Sequence, residues 1–285
     1  MNDTPRIAEV VKERARDAVT RAWAGVRLVA RRRARRRRLS GPAIESPSFV
    51  LAVGLVTALA AIKLLDPILR AHPGITDGSF ADRVLTALTS FGEGVEIMVG
   101  AGVTAIAIAA LDPAGLTRRV RHGLVQAAGL AVFAFVSVAG SGLVTALIKN
   151  LYGRARPTNL LGESVFQLHA SAFTSKFAAF PSGHATTAGA SAVVLALIFP
   201  RFKGTILAFG AVVALTRIML AAHFPSDVAA GFAIGAAFTL ATARLLARRG
   251  VVFETDAEGA LRVRAAARPA AWFDHLAAVI AAAKR

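Results

Sequence analysis

The chain has 285 residues, of which 55% are hydrophobic and 18% are charged, and its formal net charge is +17. Intrinsic disorder is excluded for most of the chain, because disordered segments combine low hydrophobicity with high net charge. The lack of cysteine excludes a disulfide framework, a thiolate metal site and a thiolate nucleophile. The composition indicates a membrane protein, and its 24 glycines are typical of closely packed membrane helices.

The positive charge is concentrated near the start of the sequence. Residues 1–40 contain 13 Lys or Arg and four acidic residues, and segment 31–38 is arginine at every position but one. Such a run is typical of a nucleic-acid-binding tail or of a cytoplasmic anchor on anionic lipid, and the apolar segments that follow favour lipid. Apolar residues at helical spacing over 7–29 predict an amphipathic helix on the inner leaflet, with a solvated basic tail as the alternative. We assign residues 1–47 to this basic cytoplasmic segment.

Six apolar segments follow, and a membrane-spanning helix needs roughly 20 such residues. The third segment carries no charge, whereas the last three are shorter and more polar. We therefore predict an all-α fold, an integral membrane six-helix bundle over residues 48–247. The predicted spans are 48–69, 91–111, 123–148, 183–199, 204–222 and 227–246.

The basic residues of the connections predict the orientation, because Lys and Arg are retained on the cytoplasmic side. They follow spans two, four and six, on the same side as the arginine run, so both termini are expected in the cytoplasm. The connection 149–182 lies on the opposite side and is nevertheless basic. Its positive charge therefore needs a reason other than topology. The residues concerned are Lys149, Arg154, Arg156 and Lys176.

Residues 248–285 are predicted to form a cytoplasmic C-terminal tail. A weak alternation over 251–268 predicts a small hairpin around a turn at 256–259. Residues 270–284 predict a short amphipathic helix. Neither element carries visible chemistry.

Three polar clusters interrupt the apolar pattern, at residues 149–157, 181–184 and 216–227. The six-span topology places all three at the same, outer membrane face. Because that topology does not depend on the clusters, their convergence independently indicates a functional site there.

The residue types in these clusters suit a bound phosphate. Lys149, Arg156 and Arg217 supply three cations, and the planar guanidinium fork matches phosphate oxygens in a bidentate manner. Arg217 lies near membrane depth, where an ionisable group is costly and indicates function. Ser182 and Gly183 stand at a predicted helix start, where free N–H groups and the helix dipole attract anions.

Two histidines complete the cluster. A neutral imidazole can attack phosphorus, and an imidazolium can protonate a leaving oxygen, so His184 and His223 are candidates for both roles. Pro225 is suited to a first helical position, which places Asp227 in the first turn of span six. Its carboxylate can then accept the Nδ1–H of His223 and orient the other ring nitrogen for attack.

Together the clusters resemble the signature of the type 2 phosphatidic acid phosphatase superfamily. That pattern is K-x6-R-P, then P-S-G-H, then S-R-x5-H-x3-D, and this chain follows it from Lys149 to Asp227. One position departs, because Thr216 stands where the family usually has serine. A hydroxyl is retained there, so little loss is expected.

The resemblance implies a role for each matched residue. His223 would be the nucleophile and form a phosphohistidine, oriented by Asp227. His184 would protonate the leaving oxygen and later activate water. No metal or other cofactor would be required, because protein cations take that place. The residues implied to hold the phosphoryl oxygens are Lys149, Arg156, Ser182, Gly183 and Arg217.

The predicted function is hydrolysis of a lipid phosphomonoester or pyrophosphate at the outer face of a bacterial cytoplasmic membrane. Undecaprenyl pyrophosphate, phosphatidylglycerol phosphate, phosphatidic acid and lipid A phosphates are the substrates that the resemblance implies, and the sequence does not choose among them. A phosphotransferase could use the same phosphohistidine. Haloperoxidases share the site pattern but are mostly soluble, and a non-enzymatic membrane scaffold is the alternative from another class. Membrane lipids are the expected partners, nucleic acid is not, and the oligomeric state is open.

Four charged residues outside the motifs have competing interpretations. Lys63 and Asp66, three residues apart on span one, are interpreted as a local helix pair. Glu93 could bind a substrate headgroup, although interfacial solvation is favoured. Arg154 could join the phosphate site or make a solvated headgroup contact.

Overall fold

The computed structural model of the chain is mostly helical. It describes residues 9, 12, 13, 16, 17 and 20, followed by 41–69, 75, 78–111, 115–159, 168 and 174–283. The helices, in chain order, are α1 Pro47–Leu64, α2 Asp66–Leu69, α3 Phe80–Ser90, α4 Val95–Ala110, α5 Arg118–Tyr152, α6 Gly183–Ile198, α7 Lys203–Met219, α8 Pro225–Arg248 and α9 Pro269–Ala283. Two short strands, β1 Phe253–Thr255 and β2 Leu261–Val263, precede α9.

Each of the six predicted spans includes a helix. Among the described residues, five segments are long and apolar enough to cross a membrane: α1, α3 with α4, α5, α7 with the turn before it, and α8. The fourth predicted span, α6, has 16 residues. At 1.5 Å per residue it is roughly 24 Å long, less than the ~30 Å hydrocarbon core. The chain is thus a multi-pass membrane protein, with five full-length candidate spans and one short apolar helix.

The second span differs from its prediction. The predicted segment 91–111 begins in a turn at 91–94, and a separate helix, α3, precedes that turn. Helix α3 begins where the Ser79 hydroxyl accepts a hydrogen bond from the Asp82 N–H, a capping contact between polar residues. The chain then turns at Gly94, whose φ of 68° favours glycine and whose added Cβ would overlap the Thr187 methyl group.

The chain divides into two compact units. One comprises residues 41–98 and 134–242 and contains all three polar clusters; the other comprises 1–40, 99–133 and 243–285. The domain boundaries predicted at residues 47 and 247 stay a prediction.

The smaller unit contains the predicted C-terminal hairpin and helix. Strands β1 and β2 pair antiparallel, with Phe253 opposite Val263. The buried Gln126 side chain accepts a 2.8 Å hydrogen bond from the N–H of Val252, and the Phe133 ring packs edge-on against Phe253 at 4.7 Å. The hairpin is therefore docked on α5 through both a polar and an aromatic contact.

The N-terminal predictions fall mainly outside the described residues. Six scattered positions, from Glu9 to Thr20, are helical and exposed. The arginine run 31–38 and the apolar residues of the predicted amphipathic helix lie outside the described part of the chain.

Glycines let α6 and α8 approach each other closely within the larger unit. A Cβ on Gly235 would overlap the carbonyl oxygen of Thr186, and one on Gly231 would overlap that of Ser182. The two helices are therefore in backbone contact, and this contact fixes their N-terminal ends relative to each other. Residues of the second cluster begin α6, and residues of the third cluster begin α8.

Candidate active site

The start of α8 holds the Asp227 carboxylate in place. Pro225 is the first helical residue, as predicted, so Asp227 is the third. Its Oδ2 accepts a 2.9 Å hydrogen bond from the N–H of Phe224, the residue just before the helix. A side chain at the third position that reaches back to this N–H is the acceptor half of a capping box. The sequence F-P-S-D thus orients the carboxylate by local geometry.

The Asp227 carboxylate faces the ring of His223. The Nδ1 atom of His223 lies 3.7 Å from Oδ2 of Asp227, which is ion-pair distance and longer than a hydrogen bond. Nδ1 has no hydrogen-bond partner among the described residues. Catalytic hydrogen bonds are often long without substrate and tighten when it binds. The arrangement therefore presents the other ring nitrogen, Nε2, as the free atom for attack.

Burial lowers the pKa of His223 below its usual value. The Asp227 carboxylate opposes this shift, while the charges of Arg156 and Arg217 add to it. The imidazole is consequently neutral near pH 7, the protonation state that a nucleophile requires. The backbone also positions this residue, because its N–H donates to the carbonyl of Arg217 at 3.1 Å.

The start of α6 brings the second cluster to the same place. Ser182 is the N-cap of α6, and its hydroxyl accepts a long, 3.4 Å hydrogen bond from the N–H of Ala185. The N–H of Ser182 donates to the carbonyl of Asp227 at 3.0 Å, which ties the two helix starts together. A Cβ on Gly183 would lie 3.7 Å from the Nζ atom of Lys149, so this ammonium group sits beside the helix N-terminus.

The second histidine, His184, is half-buried beside the cations. It lies close enough to Arg217, Arg156 and Lys149 for their charges to act on it. Its Nε2 lies 3.9 Å from Oε1 of Glu93, which is half-exposed in the turn between α3 and α4. The sequence interpretation favoured interfacial solvation for this carboxylate, and the structure places it beside a candidate catalytic group.

Two arginines keep unused donors at the site. The Nε atoms of Arg156 and Arg217 are buried and have no hydrogen-bond partner among the described residues. Arg217 also donates through Nη1 to the buried hydroxyl of Thr89 at 3.4 Å, a contact that nothing in the sequence indicated. Because a buried unsatisfied N–H is costly, these donors are the groups that a phosphate oxygen would satisfy.

Thr216, the one departure from the family pattern, is buried at the end of α7. Its Oγ1 donates to the carbonyl of Val213 at 2.6 Å. A serine hydroxyl could make the same bond, which agrees with the expectation of little loss at this position.

A buried ion network lies behind the Asp227 carboxylate, and the sequence interpretation missed it. Arg154 donates through Nη1 to Oδ1 of Asp227 at 2.6 Å and through Nη2 to Oδ2 of Asp66 at 2.8 Å. Ser226 donates its hydroxyl to Asp66 and accepts a 2.7 Å bond from Arg154. The guanidinium carbon also stacks 4.5 Å from the centroid of the Phe224 ring.

This network corrects two interpretations. Arg154 is 5% exposed, so it is neither a solvated headgroup contact nor a free arm of the phosphate site. Asp66 is fully buried, and it binds Arg154, 88 positions away, and Ser226, 160 positions away. A local pair with Lys63 therefore does not account for it. The available signal was the presence of charge in two places where topology disfavours it, the end of span one and an outer connection.

The eight predicted site residues thus come together in one unit, from the ends of α5 and α7, the starts of α6 and α8, and the turns beside them. The described residues contain no group of three His, Cys, Asp or Glu side chains arranged to hold a metal ion. Chemically, the site offers a neutral imidazole facing a carboxylate, a second imidazole, and three cations, of which the two arginines have unpartnered Nε donors. Such an arrangement can bind a phosphoryl group and transfer it to nitrogen.

Comparisons with known proteins agree with this geometry. Residues 130–250 match the family model described as the PAP2 superfamily. The chain is 38% identical over 143 residues to a lipid A 1-phosphatase of Rhizobium johnstonii, covering 50% of this chain and 59% of the relative. It is also 38% identical over 131 residues to a decaprenylphosphoryl-5-phosphoribose phosphatase of Mycobacterium tuberculosis, covering 45% of this chain and 64% of the relative. The chain therefore spans about three-fifths of the length of the curated relatives that it matches.

Among solved structures, the chain is similar to a transmembrane PAP2-type phosphatidylglycerolphosphate phosphatase from Bacillus subtilis. The TM-score is 0.46 with 18% identity, over 69% of this chain and 94% of that one. The family match itself contains every residue from Lys149 to Asp227 that carries the sequence resemblance. Residues 130–250 of this chain are therefore similar to the PAP2 superfamily, over somewhat less than half of the chain.

Proposed function

We propose that this protein is a membrane-embedded phosphatase that hydrolyses a lipid phosphomonoester or pyrophosphate through a phosphohistidine on His223. The observation that carries the proposal is the buried His223 ring, which faces the Asp227 carboxylate and lies close enough to Arg156 and Arg217 for their charges to act on it. The Nε donors of these two arginines are unpartnered among the described residues. The relatives named above are phosphatases of lipid-linked phosphates, which supports the same class of substrate.

In the first step, Nε2 of His223 attacks phosphorus, and the bond from phosphorus to the leaving oxygen breaks. His184 gives a proton to that oxygen, which departs as the lipid alcohol, or as the lipid monophosphate if the substrate is a pyrophosphate. Lys149, Arg156 and Arg217 stabilise the charge on the equatorial oxygens without having to reorganise. The carboxylate of Asp227 stabilises the positive charge that forms on the imidazole ring.

In the second step, His184 takes a proton from water, and the hydroxide attacks the phosphohistidine. The nitrogen–phosphorus bond breaks, inorganic phosphate leaves, and His223 is neutral again. The protonated His184 is then ready for the next substrate. His184 is thus the proton donor to the leaving oxygen in the first step and the proton acceptor from water in the second.

We further propose that the site faces the outer side of a bacterial cytoplasmic membrane, with both termini in the cytoplasm. The support is the distribution of Lys and Arg among the connections of the multi-pass chain. For the substrate, we propose a lipid A-type or polyprenyl-linked phosphate first, since these are the classes that the two relatives' names describe. Phosphatidylglycerol phosphate and phosphatidic acid follow.

The test is release of inorganic phosphate by the purified protein in detergent, with EDTA present and no lipid acceptor added. Wild-type release that disappears in His223→Ala supports the proposal. His122→Ala is the matched control, because that histidine is exposed and belongs to the other unit. Retained release in His223→Ala would refute the proposed nucleophile, and phosphate transfer only after an acceptor is added would identify a transferase.

The intermediate itself can be trapped. Quenching the enzyme with a substrate labelled on its transferred phosphate should leave acid-labile, base-stable label on the wild-type chain and none on His223→Ala. Label that survives acid would indicate an ester of a hydroxyl side chain instead.

A further inference from the structure

We propose that Asp66 is a positioning residue for the nucleophile, and that it acts through Arg154 on the carboxylate of Asp227. The inference rests on the proposed function, because positioning has meaning only if His223 is the nucleophile. It assigns a role to the first residue of α2, just after the first candidate span, which lies outside the segment that matches the family.

The contacts form a continuous bridge from the start of α2, just after α1, to the nucleophile. Asp66 binds Arg154, Arg154 binds Oδ1 of Asp227, and Oδ2 of the same carboxylate faces His223. Every group of the bridge is at least nine-tenths buried, and the two carboxylates are fully so. The bridge is therefore shielded from solvent along its length.

The bridge determines which way the Asp227 carboxylate points. One oxygen is held by Arg154 and the other by the N–H of Phe224, so both rotation and tilt of the carboxylate plane are fixed. Without the guanidinium, only the Phe224 contact would define that plane. The distance from Oδ2 to Nδ1 of His223 would then vary.

Asp66 in turn determines where the guanidinium lies. Its Oδ2 accepts from Arg154, and its Oδ1 accepts from the N–H of Ser226 in the first turn of α8. The Ser226 hydroxyl accepts a hydrogen bond from Arg154 and donates one to Asp66. Asp66 thereby anchors the arginine to the same helix turn that carries Asp227.

The charges of the bridge also favour the reaction. Two carboxylates and one guanidinium leave one net negative charge beside His223, in a buried region where charge interactions are strong. That negative charge stabilises the positive imidazolium character that develops as His223 attacks phosphorus. Replacing Asp66 by a neutral residue removes this balance and leaves Arg154 to neutralise Asp227 alone.

The decisive experiment is a double-mutant cycle of Asp66→Asn and Asp227→Asn, measured as kcat and KM for phosphate release from a lipid phosphate in mixed micelles. Asp66→Asn is expected to lower kcat about tenfold, as modest misplacement of a reacting group does, with KM and inhibition by inorganic phosphate changed less than about twofold. In the Asp227→Asn background the same change is expected to have no further effect, because its route passes through Asp227.

A merely structural role gives a different pattern. The loss from Asp66→Asn would then be the same in both backgrounds, and it would accompany weaker phosphate inhibition and a lower fraction of folded protein. That result, or unchanged kcat in Asp66→Asn, would overturn the inference. Glu45→Gln is the matched control, because Glu45, just before α1, forms a partly buried ion pair with Lys203 at the start of α7. Both residues lie at the helix ends away from Asp66 and Arg217. It should leave kcat unchanged.

If Asp66→Asn does not fold, Ser226→Ala takes its place in the cycle. It removes the hydroxyl that bonds to both Asp66 and Arg154 but keeps every charge and the direct Asp66–Arg154 contact, so a smaller loss with the same dependence on Asp227 is expected. Failure of the proposed function is recognised separately: phosphate release that survives His223→Ala overturns both claims. If phosphate release requires His223 but the losses in kcat from Asp66→Asn and Asp227→Asn are additive, only the positioning role is overturned.

Discussion

A methyl group on Gly235 is expected to separate the two helices that carry the site. The Cβ of alanine at this position would overlap the Thr186 carbonyl oxygen and lie 2.8 Å from the N atom of Ala190. Ordinary contact begins at 3.4 Å, and both neighbours belong to the backbone of α6, so no side chain can rotate away. Helices α6 and α8 must therefore move apart by roughly 1 Å, since protein interiors are close-packed.

This separation is expected to affect catalysis, because the two contact points lie close to site residues on the same helices. Thr186 lies two residues after His184, and Gly235 lies eight residues after Asp227. A shift of about 1 Å between a nucleophile and its acid can cost on the order of 100-fold in rate. Overpacking of this kind also typically destabilises the fold by about 1–3 kcal/mol. Gly235→Ala should therefore lower kcat for phosphate release strongly and lower the thermal unfolding temperature moderately.

The assay compares Gly235→Ala with Gly142→Ala in detergent, by phosphate release and by thermal unfolding. Gly142 lies within α5, and a Cβ there meets no atom of the described residues within 4 Å. The control should keep wild-type kcat and stability. Wild-type kcat and stability in Gly235→Ala would refute the reasoning, because the backbone contact between α6 and α8 could not then be as close as the structure has it.

Three further predictions concern the pH dependence, the phosphate site and the docked hairpin. Asp227→Asn removes the charge that raises the pKa of His223, so the acid limb of the kcat/KM profile should move to lower pH while the rate falls; a shift to higher pH would contradict this sign. Arg156→Ala should lower kcat/KM by about 100-fold or more and weaken inhibition by inorganic phosphate, with partial recovery in Arg156→Lys. Gln126→Leu leaves the buried N–H of Val252 unsatisfied, so it should cost about 1–3 kcal/mol and speed hydrogen exchange at that amide, without lowering kcat.

The local features of the site were predictable from the sequence because they depend on residues close to one another in the chain. Proline at position 225 and Ser182 before a run of small apolar residues both predict helix starts, and helices begin at these points. The turn residues at 256–259 predict the hairpin in the same way. The family motifs then follow from spacing, since three short clusters contain all the matched residues.

The break in the second span was not predictable from apolar content. Residues 91–111 are apolar enough to be read as one span, and the turn at 91–94 depends on Gly94 fitting against Thr187 of another helix. That turn is what carries Glu93 to within 3.9 Å of His184. A hydropathy pattern reflects the average apolar character of a segment, and it does not reveal a single contact between two helices.

The sequence by itself determined the multi-pass helical class, the starts of α6 and α8 and the set of candidate site residues, because periodicity, capping and motif spacing are local properties of the chain. Only the tertiary structure decided that Arg154 is buried between Asp66 and Asp227. The physical reason is that a buried charge needs a partner of opposite sign, but nothing in the local sequence states which one. Here the partners of Arg154 lie 88 residues before it and 73 residues after it, and packing of the helix ends alone brings them together.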